Sequence, residues 1–502
     1  MLTRRSWTRM TGERRRRLPS RTAAVRGLRL AFVGLLAFTL LSAGVSFLTY
    51  DPVDAGGAAA EGPEPGADAG VGAPRVVATI DGVGPGQIVA YDADGRVVYR
   101  NDSLTLYHDV DPTPGAERTV TYVASDAADE DACSGDACLR NVIERVNLTT
   151  GEVTRVYERV HRRNGSTQIH DVDRVNESTF LVADISYPDR VYMVNVTTDE
   201  VVWQWRASEA FAPESGGSYP SDWTHVNDVE MLPDGRVMVN LRNQDQVVFV
   251  EPGEGVQSNW TLGADGEHGV LFEAHNSDYI PEARGGPAVV VADSENNRLV
   301  EYQRTNGSWT RSWTWRDTTL QWPRDADRLP SGRTLVADSH GQRILSVRSD
   351  GAVAWSKRFP TGSYDVELLG TGDESANGTS ASKLGLRSRR PSSLVSDGNT
   401  SMRGSVVGPS LDGTPPANAA SGEGESVGAR LVGAVGPGVE YVRYSLVSLV
   451  PPRVLHGLLY ALPSWVSALD VTLALGTGVV GALWGVAAAA TRFASRGRPR
   501  SE

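Results

Sequence analysis

An aspartate returns through the middle of this 502-residue chain at one fixed place in a pattern of polar entry followed by an apolar run. It falls in YHDVD at Asp109 and IHDVD at Asp171, then in THVNDVE at Asp228, AHNSDYI at Asp278, WPRDADRL at Asp325 and SYDVELL at Asp365. The intervals are 62, 57, 50, 47 and 40 residues, a drift that surface insertions produce. Self-similarity at such a period marks an array of units that bury a core only against their neighbours, as in solenoids and propellers.

The stretches between the aspartates identify the unit. GQIVAYDADGRVVYRN alternates on both sides of Asp94-Gly95, a strong hairpin signal. Comparable hairpins read as ERVNLTTGEVTRVY, VYMVNVTTDEVVWQW, VVFVEPGEGVQSNWTL, LVEYQRTNGSWTRSWTW and ILSVRSDGAVAWSK. Each repeat is then an Asp-bearing strand, a turn, a strand with a polar end and a hairpin, which makes a four-stranded propeller blade. After Asp365 only one good strand, VELLG, follows, while GQIVAYDADGRVVY (Gly86–Tyr99) aligns with GQRILSVRSDGAVAW (Gly341–Trp355) but has no inner strand of its own. The N-terminal strands are therefore expected to complete the last blade, which removes free sheet edges. The fold class is all-β: a six-bladed β-propeller over residues 75–370, closed by N-terminal strands and flanked by one N-terminal and one C-terminal transmembrane helix.

Those flanking helices are read from hydropathy and charge. Leu30 to Tyr50 holds about 20 apolar or small residues without a charge, enough to cross a bilayer, and so does Val471 to Ala490. The first run also exceeds the core of a usual cleaved signal peptide. Residues 1–30 carry ten arginines and one acid, and residues 491–502 carry four arginines and one acid. Positive charge stays on the cytoplasmic side, so both ends are expected inside and the middle outside. The organisation expected is a cytoplasmic tail 1–29, a span 30–50, a linker 51–74, the propeller 75–370, a Gly/Ser/Thr/Asn/Pro-rich disordered tether 371–435, an interfacial amphipathic segment 436–468, a span 469–490 and a tail 491–502. His456, in the amphipathic segment, reads as structural, and Gly481-x-x-x-Gly485 offers a packing face toward the first span.

Between the two tails, 35 basic residues face 59 acidic ones, a surface that repels phosphates and excludes nucleic acid as a partner. The chain has only two lysines, Lys357 and Lys383, as expected of a salt-loving microbe, although a GC-rich genome also exchanges lysine for arginine. Nine Asn-x-Ser/Thr sequons lie in the middle region and suit an extracellular glycoprotein. Cys133 and Cys138, the only cysteines, suit a short-loop disulfide in an oxidising compartment, since a redox or metal role wants a second pair or nearby histidines.

The chemistry is expected in the central channel. One residue before each aspartate stand His108, His170, Asn227, Ser277, Arg324 and Tyr364, and three before stand His225 and His275. Both offsets share one parity along a strand, so these side chains are expected on one side. The aspartates themselves point the other way and read first as making a turn or an inter-blade hydrogen bond. Imidazoles with an arginine favour a small anion, the guanidinium giving bidentate contacts to oxygen. A metal competes for imidazole, but no His-x-His or HExxH pattern occurs, so neither metal nor cofactor is expected. His340, in ADSHGQR, is either channel-facing or a turn residue, and His161 and His268 read as loop residues.

The stretch HVNDVEMLPDGRVMVNLRNQDQ resembles the arylsulfotransferase family, propeller enzymes in which a His-x-Asn start is followed, after a DG-type turn, by a strand ending in arginine. His225, Asn227 and Arg242 fit that pattern. LFEAHNSDYI is similar to the family's following histidine motif, which carries the nucleophile, here His275, and IHDVD with His170 looks like the preceding motif. The resemblance spans residues 75–370, best from about 165 to 345, and the chain looks like a membrane-anchored, haloarchaeal-type member. It departs from the family in the Glu273-Ala274 pair before His275, where a glutamine is expected, and in its tethers. The resemblance implies that an aryl sulfate is attacked by His275 to give a sulfo-histidine, that a phenolic acceptor then takes the sulfuryl group, and that no cofactor is needed. It also implies that Arg242 and His225 balance the sulfuryl oxygens, that His170 moves the proton, and that Asn227, Arg324, His108 and His340 line the substrate site. A non-catalytic surface propeller that binds a glycan, an anion or an envelope partner is the alternative, and a quinoprotein-like dehydrogenase, suggested by Trp-bearing hairpins, is a weaker third. Oligomeric state is not legible.

Overall fold

The computed structural model describes residues 21–49, 74–81, 86–92, 95–116, 118–128, 133, 137–162, 167–358, 362–390, 437–463 and 466–496. Of the expected segments, most of the N-terminal tail, the linker from 51 to 73, the tether from 391 and the last six residues lie outside these.

Six antiparallel sheets form a β-propeller. The first blade joins Ser363–Leu368 to Pro74–Ile80, Gln87–Asp92 and Val97–Asn101, so strands from both ends of the propeller share one sheet, as the sequence reading requires. The others begin with inner strands Leu106–Pro112, Ile169–Arg174, Val226–Met231, His275–Ile280 and Pro323–Asp325. Burial falls outward along each blade. Second strands such as Val237–Leu241 and Ala288–Asp293 are buried on both faces because neighbouring blades cover them, which is why they read as mostly apolar runs without strict alternation. Outer strands such as Glu200–Arg206 are mostly exposed. Three second strands end in Val-Ala-Asp, and each aspartate binds an arginine that opens the next strand: Asp184 with Arg190 (2.9 Å), Asp293 with Arg298 (2.5 Å) and Asp338 with Arg343 (2.6 Å).

The repeated aspartates form the inter-blade hydrogen bonds expected of them. Asp109 accepts the N–H of Val172 (3.2 Å), Asp171 that of Val229 (2.7 Å), Asp228 that of Ser277 (3.0 Å), Asp325 that of Val366 (3.2 Å) and Asp365 that of Val110 (2.8 Å). Asp278 accepts a bond from the Ser375 hydroxyl instead. Two residues further along the chain comes a second set of carboxylates, Asp111, Asp173, Glu230, Asp327 and Glu367. In both sets the carboxylates are raised in pKa, first by burial and then, for most, by each other.

Residues 371–390, expected as part of a disordered tether, pack on the propeller instead. Arg328 N–H donates to Ser375 Oγ (2.6 Å), Ala381 N–H donates to the Glu301 carboxylate (2.8 Å), and Arg389 N–H reaches Thr314 O (2.9 Å). The anchoring is by backbone and short side chains, so a Ser/Gly-rich composition hides it.

The segment expected to lie at an interface is two helices, Pro437–Val447 and Pro452–Ala461, and the second docks on the propeller. Leu455 and Leu459 fall on one stripe and pack with Val447 and Val471, while Arg453, His456 and Tyr460 fall on the opposite stripe and face the channel mouth. Helices Arg21–Thr49 and Ala468–Arg496 are each long and apolar enough to cross a membrane. They pack together through stacked Phe32 and Trp484 (5.6 Å) and a hydrogen bond between Thr39 and Thr477 (2.8 Å). Gly481 lies against the Phe32 ring, and no atom lies near enough to meet a Cβ at Gly485. Cys133 and Cys138 are joined as a disulfide.

Candidate active site

Every inner strand bulges close to its aspartate, in most cases at the residue before it. Pairing jumps from Ile169 to Asp171, from Val226 to Asp228 and from Pro323 to Asp325, leaving His170, Asn227 and Arg324 out of register, and the same happens around His108 and Tyr364. Bulges re-aim side chains and are common beside active sites. In the fifth blade the skipped residue is Asn276, because His275 and Ser277 are both paired; Ser277, which the aspartate register selected, instead donates its N–H to Asp228. His225 precedes its strand and sits in a left-handed turn at φ 51°, so strand parity does not place it.

The expected histidines nevertheless meet. The His108 and His170 rings are 4.6 Å apart and those of His170 and His225 4.8 Å, while the Tyr364 ring lies 5.1 Å from His108 and 6.2 Å from His275. Arg324 spreads its guanidinium over Trp322 (4.5 Å) and Tyr364 (4.8 Å) and donates to Asp81 O (3.2 Å). His108 Nδ1 faces Ile169 O (3.0 Å), which only accepts, so that nitrogen carries the proton. Burial alone raises the Asp81 carboxyl, but His108 and Arg324 beside it hold it below its ordinary value.

His275 is fixed in one tautomer. Its Nδ1 lies 2.9 Å from Ser294 Oγ, and that hydroxyl lies 2.7 Å from Pro323 O. A carbonyl only accepts and the serine has one proton to give, so the serine donates to Pro323 and His275 Nδ1–H donates to the serine. Nε2 keeps its lone pair. The ring is 3% exposed, and burial first, then Arg324, Arg242 and His225, push its pKa well below the ordinary range. Burial first, then His108, His225, His275 and Arg324, do the same to His170, whose Nδ1 lies 3.0 Å from the Tyr364 hydroxyl.

Arg242 caps the site from one side. It opens a short 3-10 turn directly after strand Val237–Leu241, and its Nη1 reaches His225 Nε2 (3.4 Å) while Nη2 donates to Glu273 (3.1 Å). Glu273, where the family resemblance expected a glutamine nearby, thus serves as the arginine's counter-ion. His225 Nδ1 donates to Asp222 (2.5 Å), which is held down to about 2: burial opposes this, but the His225 contact and Arg242 outweigh it. Burial and Arg242 in turn lower His225 itself. Asn227 gives its amide N–H to Ala274 O (3.1 Å), leaving its buried carbonyl oxygen without a hydrogen-bond partner.

His340 stacks against Trp322 at 4.4 Å with both ring nitrogens unpartnered. His456, read as structural, belongs here: it bonds Glu295 (2.9 Å) and lies 5.5 Å from His340 and 6.0 Å from Trp322. Arg453 on the same stripe pairs with Glu273 (2.6 Å). Sequence reasoning missed Asp81, Ser294, Trp322, His456 and Tyr460. The repeated Val-Ala-Asp-Ser of Val291–Ser294 and Val336–Ser339 was a usable signal for Ser294. His161 is a strand residue bonded to Ser186 (2.8 Å), and His268 pairs with Asp245 (3.3 Å); both stand apart from this cluster.

Residues 77–273 match the model of the arylsulfotransferase (ASST) family. The arylsulfotransferase match takes in His108, His170, His225, Asn227 and Arg242 and stops two residues before His275. No curated protein matches the chain. Among solved structures, the periplasmic gluconolactonase of Pseudomonas aeruginosa is 14% identical over 59% of this chain and 99% of that one, with a TM-score of 0.40. Virginiamycin B lyase of Staphylococcus aureus is 10% identical over 51% of this chain and 70% of its own, with a TM-score of 0.32.

Proposed function

We propose that the protein is a membrane-anchored sulfotransferase that moves a sulfuryl group from a phenolic sulfate ester to a phenolic acceptor through a sulfo-histidine at His275. The observation that carries this reading is the Ser294 relay, which leaves the His275 Nε2 lone pair free in a cationic pocket. That lone pair attacks sulfur, the bond from sulfur to the aryl oxygen breaks, and its electron pair leaves on the phenolate, which takes its proton from solvent because burial keeps His170 neutral and ready to act as a base. The acceptor phenol then gives its proton to His170 and attacks the same sulfur, and the pair from the broken N–S bond returns to Nε2. Arg242, His225 and Arg324 balance the sulfuryl oxygens in a site where burial makes each charge count. Asn227, His108 and His340 complete the substrate walls. The two apolar helices anchor the chain with both termini in the cytoplasm and the propeller outside, where the disulfide is stable.

The test is an acceptor-free incubation of the full chain in detergent with a chromogenic aryl sulfate. A burst of one phenol per chain is expected, with one sulfuryl group added to the peptide that holds His275. A propeller that only binds a glycan, anion or envelope partner gives neither burst nor adduct. The pH dependence follows from the sign of the shift: a lowered imidazole pKa keeps His275 neutral in more acid solution, so the burst rate should stay level through pH 6.5 and fall only below it. A rate that halves near pH 6.5 contradicts this assignment.

A further inference from the structure

We propose that the carboxylate end of the channel binds two calcium-class divalent cations, one between Asp278, Asp325 and Asp327 and one between Asp111, Glu367 and Asp373. In each trio one oxygen per residue lies within 4.8 Å of the others. Two oxygens that ligate one calcium at about 2.4 Å are separated by at most twice that distance, so both trios have the right span. All-oxygen donors select a hard cation over a transition metal.

Independent of their clustering, each trio holds an oxygen with nothing to bind. Asp327 Oδ2 and Glu367 Oε2 are buried, their residues 1% and 2% exposed, and neither has a hydrogen-bond partner. Asp373 Oδ1 is also a buried atom without a hydrogen-bond partner, although the residue as a whole is half-buried. A buried polar oxygen left unpaired costs free energy comparable to a lost hydrogen bond, and a buried carboxylate more. Arg328, the guanidinium nearest in sequence, is committed to Glu301 at 3.2 Å.

Asp373 comes from the segment 371–390 and its two partners from inner strands of the propeller, so the second ion staples that segment across the channel floor. Glu374 N–H already donates to Glu367 (3.0 Å), which aims the segment there. This inference is independent of the sulfuryl-transfer reading.

The test takes the full chain in detergent, stripped with EDTA and titrated with calcium chloride, reading bound calcium by equilibrium dialysis and the unfolding midpoint by calorimetry. Two calcium ions per chain and a midpoint that rises by several degrees are expected. Asp327→Asn and Glu367→Gln should each bind one ion fewer, and in EGTA each should be at least as stable as the parent, because an uncompensated carboxyl has been removed. No bound calcium at millimolar concentration overturns the proposal. So does an unchanged stoichiometry in both variants, which would place the ions elsewhere. Parent and variants that lose equal stability in EGTA as pH rises, with calcium restoring none of it, would show shared protons in place of metal.

Discussion

His275→Ala is expected to lower sulfuryl transfer from a chromogenic aryl sulfate by on the order of a thousandfold or more, with the fold unchanged. The alanine removes the imidazole whose Nδ1 proton is fixed by Ser294, and with it the Nε2 lone pair proposed to attack sulfur. What remains is Arg242, Arg324 and the other histidines, which still bind the anion but have nothing to form the N–S bond. Substrate binding should therefore survive while the acceptor-free burst disappears. Ser294→Ala is the finer probe. It keeps the imidazole but frees the ring to exchange tautomers, because Nδ1–H loses its acceptor at 2.9 Å. A fall in kcat of roughly ten- to a hundredfold with little change in KM is expected, the size seen when the partner that orients a reacting group is lost. If His275→Ala turns over like the parent, the sulfo-histidine reading is wrong at its centre. If Ser294→Ala changes KM alone, the serine only packs.

Glu301→Ala should cost about 3–5 kcal/mol of stability, the scale for breaking a buried pair and leaving one charge uncompensated. Glu301 is fully buried, Arg328 is 1% exposed, and the guanidinium also covers the Trp313 ring at 4.6 Å. The same carboxylate accepts from Ala381 N (2.8 Å) and Ser312 Oγ (3.0 Å), so the substitution also unpins the segment 371–390. Replacing both partners with apolar residues, as in Glu301→Leu with Arg328→Met, should recover a large part of the loss, since neither charge is then stranded. Denaturant midpoints of the single and double variants measure both effects. A single variant within 1 kcal/mol of the parent would mean that the pair is not closed in solution.

Ring closure was legible because it rests on local rules. Each blade has to hide its apolar faces against its neighbours, so valine runs and Asp-Gly turns repeat with the aspartate, and the unpartnered Gly86–Tyr99 hairpin can belong only to the last blade. The histidine cluster was legible to within one residue. A bulge shifts a strand by one position without marking the sequence, which is how Asn276 was passed over for Ser277. His456 could not be found this way. Amphipathicity tells which stripe of helix Pro452–Ala461 is apolar, but not that its polar stripe meets Glu295 and Glu273, far away along the chain. The segment 371–390 was hidden for the reverse reason, since its partners are a buried glutamate and backbone groups that composition does not register.

Helix Pro452–Ala461 has one more consequence. Its polar stripe closes the mouth of the channel, and its apolar stripe is packed on the start of helix Ala468–Arg496. The mouth cannot be uncovered without disturbing the foot of the apolar pair. Because helix Pro452–Ala461 packs its apolar stripe on the start of Ala468–Arg496 while His456 lies against Trp322, a shift of the apolar helix pair is expected to be felt at the buried histidines.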